Sequence, residues 1–199
     1  DTSLARAAPA APLLGVWPLS ATPTPPSDLQ PGAKLALGGL AMGASKTATQ
    51  FGAGAYAAVP YRPRFRPKKG LTVAVSVHRA DWSAPLDEGI VGKFYGFQLL
   101  QEQTQLKARI HTEVEKAPAT LSTNVGSLAA GWHHVALTYD GTTYALWVDA
   151  VQVTSATTSG ALRYYLNTPT ESLVYAGIAV GGVPHGPVPS VGQASYLFT

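Results

Sequence analysis

Two carboxylates separated by a single residue, Glu113 and Glu115, are the feature of the chain that most resembles a catalytic acid–base pair. Alternate residues of a strand point to the same face, so the spacing predicts both side chains on one face of a strand. Glycosidases use one carboxylate as nucleophile or base and another as acid. Here Lys116 follows the pair directly. We therefore expect a solvated pair, with glycoside hydrolysis as a remote alternative.

Two adjacent histidines, His133 and His134, follow Trp132 in a stretch with strand character. Neighbouring residues of a strand point to opposite faces, so the two imidazoles cannot chelate one metal ion. The pattern predicts that one imidazole is buried and hydrogen-bonded and that the other faces outward. For Trp132 and Trp147 it favours packing in the core or on the sheet face over a platform for a sugar.

The composition excludes several other kinds of chemistry. The chain has no cysteine, which excludes a disulfide framework, a thiolate metal site and a cysteine nucleophile. Charged residues make up 13% of the chain, where about 25% is usual. The net charge of +3 is too small a bias to indicate nucleic acid binding, and no apolar run approaches the ~20 residues that span a bilayer. We expect no enzymatic activity, no metal and no cofactor.

Basic residues concentrate in residues 62–69, where prolines favour an extended backbone that places alternate arginines on one face. Such a row suits carboxylate or phosphate groups, although a solvated loop is the simpler alternative. A second segment, residues 162–167, offers the flat apolar area and hydrogen bonds that a sugar or a partner protein uses, and one of its two tyrosines is expected in the core. The candidate ligand- or partner-binding residues are Arg62, Arg64, Arg66, Lys68, Lys69, Arg163, Tyr164 and Tyr165.

The elements that must position these residues are strands. Residues 72–78 alternate between two faces, and similar strand character recurs at residues 90–100, 105–114, 133–139, 143–148, 151–155 and 173–180. Turn residues separate these segments, among them Pro85, Asp87 and Gly89, and then Asp140 with Gly141. Spacing of about 10 to 15 residues without helical periods predicts an all-β fold, a sandwich of two antiparallel sheets.

The first part of the chain is rich in proline and alanine. Proline removes backbone donors and fixes φ, so residues 1–13 are predicted to form an extended arm. Such an arm is either a disordered tail or a segment that becomes ordered on a neighbouring subunit. Residues 14–19 are predicted to form the first strand, with Pro18 confining it to an edge or a bulge.

The most specific stretch is Gly-Trp-His-His-Val-Ala-Leu-Thr-Tyr-Asp-Gly at residues 131–141, followed by Tyr-Ala-Leu-Trp-Val-Asp-Ala at residues 144–150. It resembles the laminin G-like, concanavalin A-like family, which includes the pentraxins. The resemblance implies a jelly-roll domain over residues 14–199. The family's usual glycine in the second turn is Ala150 here, which costs about 1 kcal/mol if the turn needs a positive φ. The clustered acidic oxygens of the family's calcium sites are missing, so bound calcium is not implied.

Two functions remain open for such a module. The first is a virion decoration or fibre-type protein of a phage that docks on neighbouring subunits, with a homo-oligomer as one form of the assembly. The second is a secreted lectin-like or adhesion module that binds carbohydrate. Both place the protein on a virion surface or outside a cell, with a protein or a surface glycan as partner, and neither involves nucleic acid or membrane insertion. We expect partner contacts on residues 1–13 and 62–69 rather than on the Trp-His-His strand.

Overall fold

The computed structural model describes residues 66–93, 96–115 and 117–164, together with the backbone of five short strands. The five are β1 (Ala36–Gly38), β2 (Ala41–Ala44), β3 (Thr49–Phe51), β4 (Tyr56–Val59) and β13 (Ile178–Val180). The predicted arm and the predicted first strand lie outside the described residues, so the division into residues 1–13 and 14–199 stays a prediction.

A four-stranded antiparallel sheet forms one layer, in the order β12-β11-β10-β5. Its strands are β5 (Leu71–Arg79), β10 (Gly131–Tyr139), β11 (Thr143–Val148) and β12 (Val151–Thr157). Strand β5 alternates half-buried and exposed side chains over its whole length, as the sequence predicts. Its register with β10 places Val75 opposite Val135, and Val73 opposite Leu137. The valines and leucines of both strands therefore face the same side of the sheet.

A seven-stranded antiparallel sheet forms the second layer, in the order β1-β4-β13-β6-β7-β8-β9. Its longer strands are β6 (Leu86–Lys93), β7 (Phe97–Gln103), β8 (Gln105–Ile110) and β9 (Ala119–Asn124). The outward side of this sheet carries charge, because Glu102 forms ion pairs with both Lys107 and Arg109. Strands β2 and β3 form a separate hairpin.

The hydrophobic core lies between the inward faces of the two large sheets. Its members include Phe97, Leu99, Leu106, Ala108, Ile110, Leu121, Val135, Leu137, Tyr139 and Leu146. Trp82, from the loop after β5, is 1% exposed and packs against the same cluster. Two antiparallel sheets around one core, with no helix among the described residues, confirm the predicted all-β jelly-roll sandwich. No helix in the described part of the chain has both the length and the apolar character that crossing a membrane would require.

Three local predictions are wrong. The strand predicted at residues 105–114 ends at Ile110, where β8 ends. Residues 90–100 form not one strand but two, because β6 ends at Lys93 and β7 begins at Phe97. Glycine is needed between them, since a Cβ on Gly96 would lie 2.2 Å from Cε1 of Tyr164. Asp87 and Gly89, predicted as turn residues, lie within β6, where a shift of register between Gly89 and Val91 accommodates them.

Candidate binding face

The outward side of the four-stranded sheet presents a continuous surface, which we call the aromatic face. Register and alternation determine its members, because inward Val135, Leu137 and Leu146 leave the intervening residues on the other side. Its members are Thr72, Ala74, Ser76, His78, Trp132, His134, Ala136, Thr138, Thr143, Ala145, Trp147, Gln152, Ser155 and Thr157. Within the four described strands, none of these outward side chains is a carboxylate, an ammonium or a guanidinium.

Trp132 is the most prominent side chain of the aromatic face. It is 53% exposed, although most of the surface of a tryptophan is usually buried. Its register partner on β5 is His78, whose ring meets the indole edge-on with ring centroids 5.3 Å apart. The contact fixes one edge of the indole while part of the ring remains open to solvent.

Polar groups continue the aromatic face along the strands. His134 is opposite Ser76, and the Oγ of this serine lies 3.1 Å from Nδ1 of the imidazole. Farther along, Nε1 of the half-buried Trp147 donates to Oγ1 of Thr138 at 3.0 Å.

The inward neighbour of this face, His133, is held by two acceptors. Nδ1 lies 2.6 Å from Oδ2 of Asp149, and Nε2 lies 2.9 Å from the carbonyl oxygen of Ala129. The imidazole is 12% exposed, while His134 is exposed. The predicted opposite orientations are confirmed: His133 is hydrogen-bonded and half-buried rather than fully buried, and His134 faces outward. The hydrogen bond to Asp149, then the one to Ala129, raises the pKa of His133.

The expectation that packing accounts for both tryptophans, leaving little surface on the Trp-His-His strand, is wrong for Trp132. The alternation of residues in β10 was sufficient to predict that Trp132 faces outward. Val135 and Leu137 had to face the core, so the alternation of β10 already placed Trp132 and His134 on the opposite side. The register with β5, which brings His78 beside Trp132, is a long-range pairing that one strand alone does not specify.

The two predicted binding segments meet at one corner of the sandwich. The main-chain N–H of Leu162 donates to the carbonyl of Lys68 at 2.9 Å, and the Tyr164 hydroxyl donates to the carbonyl of Pro67 at 3.0 Å. The guanidinium of Arg66 lies 5.8 Å from the centre of the Tyr164 ring. Tyr164 is 7% exposed and belongs to the core cluster, and its burial raises the pKa of the phenol.

We call this group of cations the basic corner: Arg66, Lys68, Lys69 and Arg163. Lys68 pairs with Glu113 at 2.6 Å, Lys69 is exposed and Arg163 is half-buried. The main-chain N–H of Arg163 donates to the carbonyl of His111 at 2.8 Å. Burial, then the charges of Arg109 and Arg163, lowers the pKa of His111 to about 4. Arg62, Arg64 and Tyr165 lie outside the described residues, so a binding role for these segments stays a prediction.

The carboxylate pair does not sit on a strand, which corrects the expectation for Glu113 and Glu115. Glu113 lies in a bend that follows the isolated bridge between Thr112 and Leu162, and Glu115 lies in irregular backbone directly after that bend. Glu113 pairs with Lys68, whereas Oε1 of Glu115 accepts from the Thr158 hydroxyl at 3.2 Å. The two carboxylates therefore have separate partners. Among the described residues, no cluster of three or more histidine or acidic side chains is arranged to hold a metal ion.

Comparison with solved structures agrees with this architecture. A structure of botulinum neurotoxin type C is 10% identical, with a TM-score of 0.57, and the match covers 88% of this chain and 44% of that one. The binding domain of botulinum neurotoxin DC is 11% identical with a TM-score of 0.50, covering 84% and 43%. Domains LG4-5 of the mouse laminin α1 chain are 18% identical with a TM-score of 0.47, covering 70% and 35%. The chain thus spans less than half the length of each of these structures.

No curated protein matches the chain significantly. A family model does: Laminin_G_3, of the concanavalin A-like lectin/glucanases superfamily, matches residues 51–184. That range is well over half of the chain and includes all of the aromatic face, so the resemblance carried by residues 131–150 is confirmed. The chain belongs to the Laminin_G_3 family of the concanavalin A-like lectin/glucanases superfamily.

Proposed function

We propose that the protein is a non-catalytic binding module and that its aromatic face binds a neutral glycan. The observation that carries the proposal is the half-exposed indole of Trp132 on an uncharged face of hydroxyl, imidazole and amide groups. The face belongs to a regular four-stranded sheet, so little backbone order has to be gained when a ligand binds.

A sugar ring suits this surface better than an ion does. The C–H side of a pyranose is apolar and packs on an indole, while its hydroxyls need donors and acceptors at the rim. Ser76 and His134 supply such groups on one side of Trp132, and His78 supplies another. A strongly charged ligand would find no formal opposite charge on the outward side of these four strands.

The comparisons support a binding role without specifying its ligand. The family description includes lectins. Cell entry of botulinum neurotoxin type C is described as dependent upon interaction with two ganglioside molecules. The binding domain of botulinum neurotoxin DC is described in complex with rat synaptotagmin II. The glucanases of the same superfamily keep hydrolysis as a remote alternative, but Glu113 and Glu115 have separate partners here.

The test is retention of the full chain on an array of neutral and acidic glycans, followed by affinity measurements for each neutral glycan that is retained. We expect Trp132→Ala to weaken binding by about tenfold or more, as loss of a central aromatic anchor does. Val114→Ala is the matched control, because Val114 is 65% exposed and lies outside the aromatic face. No retention of any neutral glycan, or equal affinity of wild type and Trp132→Ala, contradicts the proposal.

A second candidate function, docking in a surface assembly such as a phage virion, rests on the basic corner. The structure brings Arg66, Lys68, Lys69 and Arg163 to one corner, where they favour an acidic or phosphate-bearing neighbour. The test deletes residues 1–13 and, separately, changes Arg62, Arg64 and Arg66 to Ser. Assembly that persists unchanged in both variants, across ionic strength, contradicts docking through these segments. Either function places the protein on a virion surface or outside a cell.

A further inference from the structure

The turn between β11 and β12 is fastened to the first half of β10 by a single carboxylate. Oδ1 of Asp149 accepts the main-chain N–H of His134 at 2.8 Å, and Oδ2 lies 2.6 Å from Nδ1 of His133. The main-chain N–H of Asp149 in turn donates to the carbonyl of His134 at 2.8 Å. The residue that precedes this pair is Trp132, so the carboxylate anchors the strand end that carries the exposed indole.

Both ring nitrogens of His133 face oxygen atoms that only accept. Asp149 is a carboxylate, and Ala129 contributes a main-chain carbonyl at 2.9 Å from Nε2. A neutral imidazole has one N–H, so one of the two contacts would place a nitrogen lone pair against an oxygen lone pair. The imidazolium has two N–H groups and satisfies both acceptors. The geometry therefore selects the protonated ring.

The other groups around His133 are consistent with that assignment. The ring of Trp82 meets the imidazole edge-on at 5.3 Å, and Nε1 of Trp82 donates to the carbonyl of Gly131. Arg79 lies 5.1 Å from the centre of the Trp82 ring, and its charge opposes a second cation. Asp149 contacts the imidazole directly, and the Coulomb interaction between two charges strengthens as their distance falls. Asp149 therefore stabilises the imidazolium more than Arg79 destabilises it.

We propose that His133 is a positioning residue for the aromatic face: its doubly protonated ring adds two hydrogen bonds that help to hold the Trp132 end of β10 in place, and one of them is lost when a ring nitrogen loses its proton. The protonated ring bridges the turn at Asp149 and the loop at Ala129. Loss of one proton breaks one of the two bridges. This inference rests on the proposed function for its effect on glycan binding, but the protonation state of His133 can be measured without any ligand.

The direction of the pH dependence follows from the two partners. The pKa of His133 is raised above its ordinary 6.5 by the hydrogen bond to Asp149 and then by the one to Ala129. Stabilisation from the bridge is therefore complete below 6.5 and is lost as pH rises through the folded-state pKa. The pKa of Asp149 is lowered from 3.8, first by the N–H of His134 and then by His133. The bridge is therefore also lost at strongly acid pH, as pH falls through the folded-state pKa of this carboxylate.

The first experiment is a pH titration of the full chain by 1H–15N NMR, which reports protonation at each imidazole nitrogen. We expect both nitrogens of His133 to be protonated at about pH 6.5 and its midpoint to lie above the ordinary value. The Trp132 indole N–H signal should move with the same midpoint. A neutral His133 at that pH, or a Trp132 signal that does not follow it, overturns the inference.

Two variants separate this role from a merely structural one. In His133→Asn a donor toward Asp149 is kept but residue 133 no longer titrates, so the Trp132 signal should lose the midpoint that it shares with His133 in the wild type. In Asp149→Asn the carboxylate charge is removed, so the His133 midpoint should fall toward or below the ordinary value. A His133 midpoint that is unchanged in Asp149→Asn contradicts the inference, even if the other variant fails to fold.

The binding experiment repeats the neutral-glycan array at about pH 6 and about pH 9, on either side of the expected midpoint. Wild-type retention should fall by about threefold or more at the higher pH, while the retention of His133→Asn should change by less than about twofold. Equal pH dependence in the two proteins overturns the inference. If the array retains nothing at either pH, the proposed function fails, and the NMR titration alone decides the protonation of His133.

Discussion

Ala150 has a backbone conformation that costs energy for any residue with a Cβ. Asp149 and Ala150 form the turn between β11 and β12 with φ angles of 49° and 64°, both in the left-handed region. Such turns favour glycine at the second position. We therefore expect Ala150→Gly to raise the free energy of unfolding by about 1 kcal/mol, measured by urea denaturation.

The control for that substitution is Ala74→Gly, because Ala74 lies within β5, where no positive φ is required. Glycine inside a strand loses more conformational freedom on folding, so this variant should be destabilised by about 0.5 to 1 kcal/mol. Opposite signs for the two alanines are the expected outcome. A loss of stability in Ala150→Gly would show that the turn is not strained.

At the same scale, the sequence predicted part of the candidate site. It separated the two imidazoles correctly, because the alternation of a strand is a local rule. It did not assign Trp132 a surface role, because an indole in an apolar strand is ordinarily a core residue and its exposure depends on the neighbouring strands. The contacts between His133, Asp149 and Ala129 join three parts of the chain, and no spacing in the sequence specifies them.

Two substitutions, one in β10 and one in β5, test which side of the four-stranded sheet faces the core. Leu137 is fully buried, so Leu137→Ala removes buried apolar surface and leaves a cavity. We expect this variant to lower the free energy of unfolding by about 2 to 5 kcal/mol. Thr72, on the outward side of the neighbouring β5, is exposed, and Thr72→Ala should stay within about 0.5 kcal/mol of wild type. Similar midpoints of denaturation for the two variants would mean that the faces are assigned the wrong way round.

Tyr139, at the end of β10, fastens this strand to the segment after β12. Its hydroxyl donates to the carbonyl of Gly160 at 2.6 Å while its ring is buried in the core. We expect Tyr139→Phe to lower the free energy of unfolding by about 0.5 to 1.5 kcal/mol, since the carbonyl loses its donor. Glycan affinity should not change, because the aromatic face is on the other side of the sheet. A stable variant with weakened binding would contradict this division of roles.

Strands were easiest to predict from the sequence where one face is apolar and the other polar, as in β5. The hairpin of β6 and β7 was harder, because Asp87 and Gly89 are ordinary turn residues that here lie inside a strand with a shifted register. Strand β9 has the sequence Ala-Thr-Leu-Ser-Thr-Asn, in which Leu121 is the one fully apolar buried side chain. Pairing with β8 makes it a strand, and that pairing depends on the whole sandwich.

The distribution of charge over the whole molecule separates the two proposed interactions. The chain has 14 basic and 11 acidic residues, and the aromatic face has none of them on its four described strands. Affinity for a neutral glycan should therefore change by less than about twofold between about 50 and about 500 mM NaCl. Docking of an anionic partner at the basic corner should weaken over the same range. Glycan affinity that falls steeply with salt would move the binding site away from the aromatic face.

At the scale of the fold, the sequence was sufficient because its evidence is distributed over the chain. Period-two alternation in several segments and the stretch at residues 131–150 indicate the same sandwich, and errors in single strands do not change that outcome. The binding surface is less predictable from the sequence than the fold, because the proposed surface depends on the exposure of one side chain, Trp132. The predicted arm at residues 1–13 lies outside the described residues, so its docking on a neighbouring subunit stays a prediction.

The central claim is that the aromatic face is the binding surface, and the most direct test is a 1H–15N NMR titration of the full chain. The titrant is the neutral glycan that the array retains most strongly, and the signals are those of every assigned backbone and indole N–H. We predict that the shifts concentrate on the Trp132 indole and on the backbone of Ser76, His78 and His134. Shifts confined to Lys68, Lys69 and Arg163, with the Trp132 indole unmoved, would contradict the account.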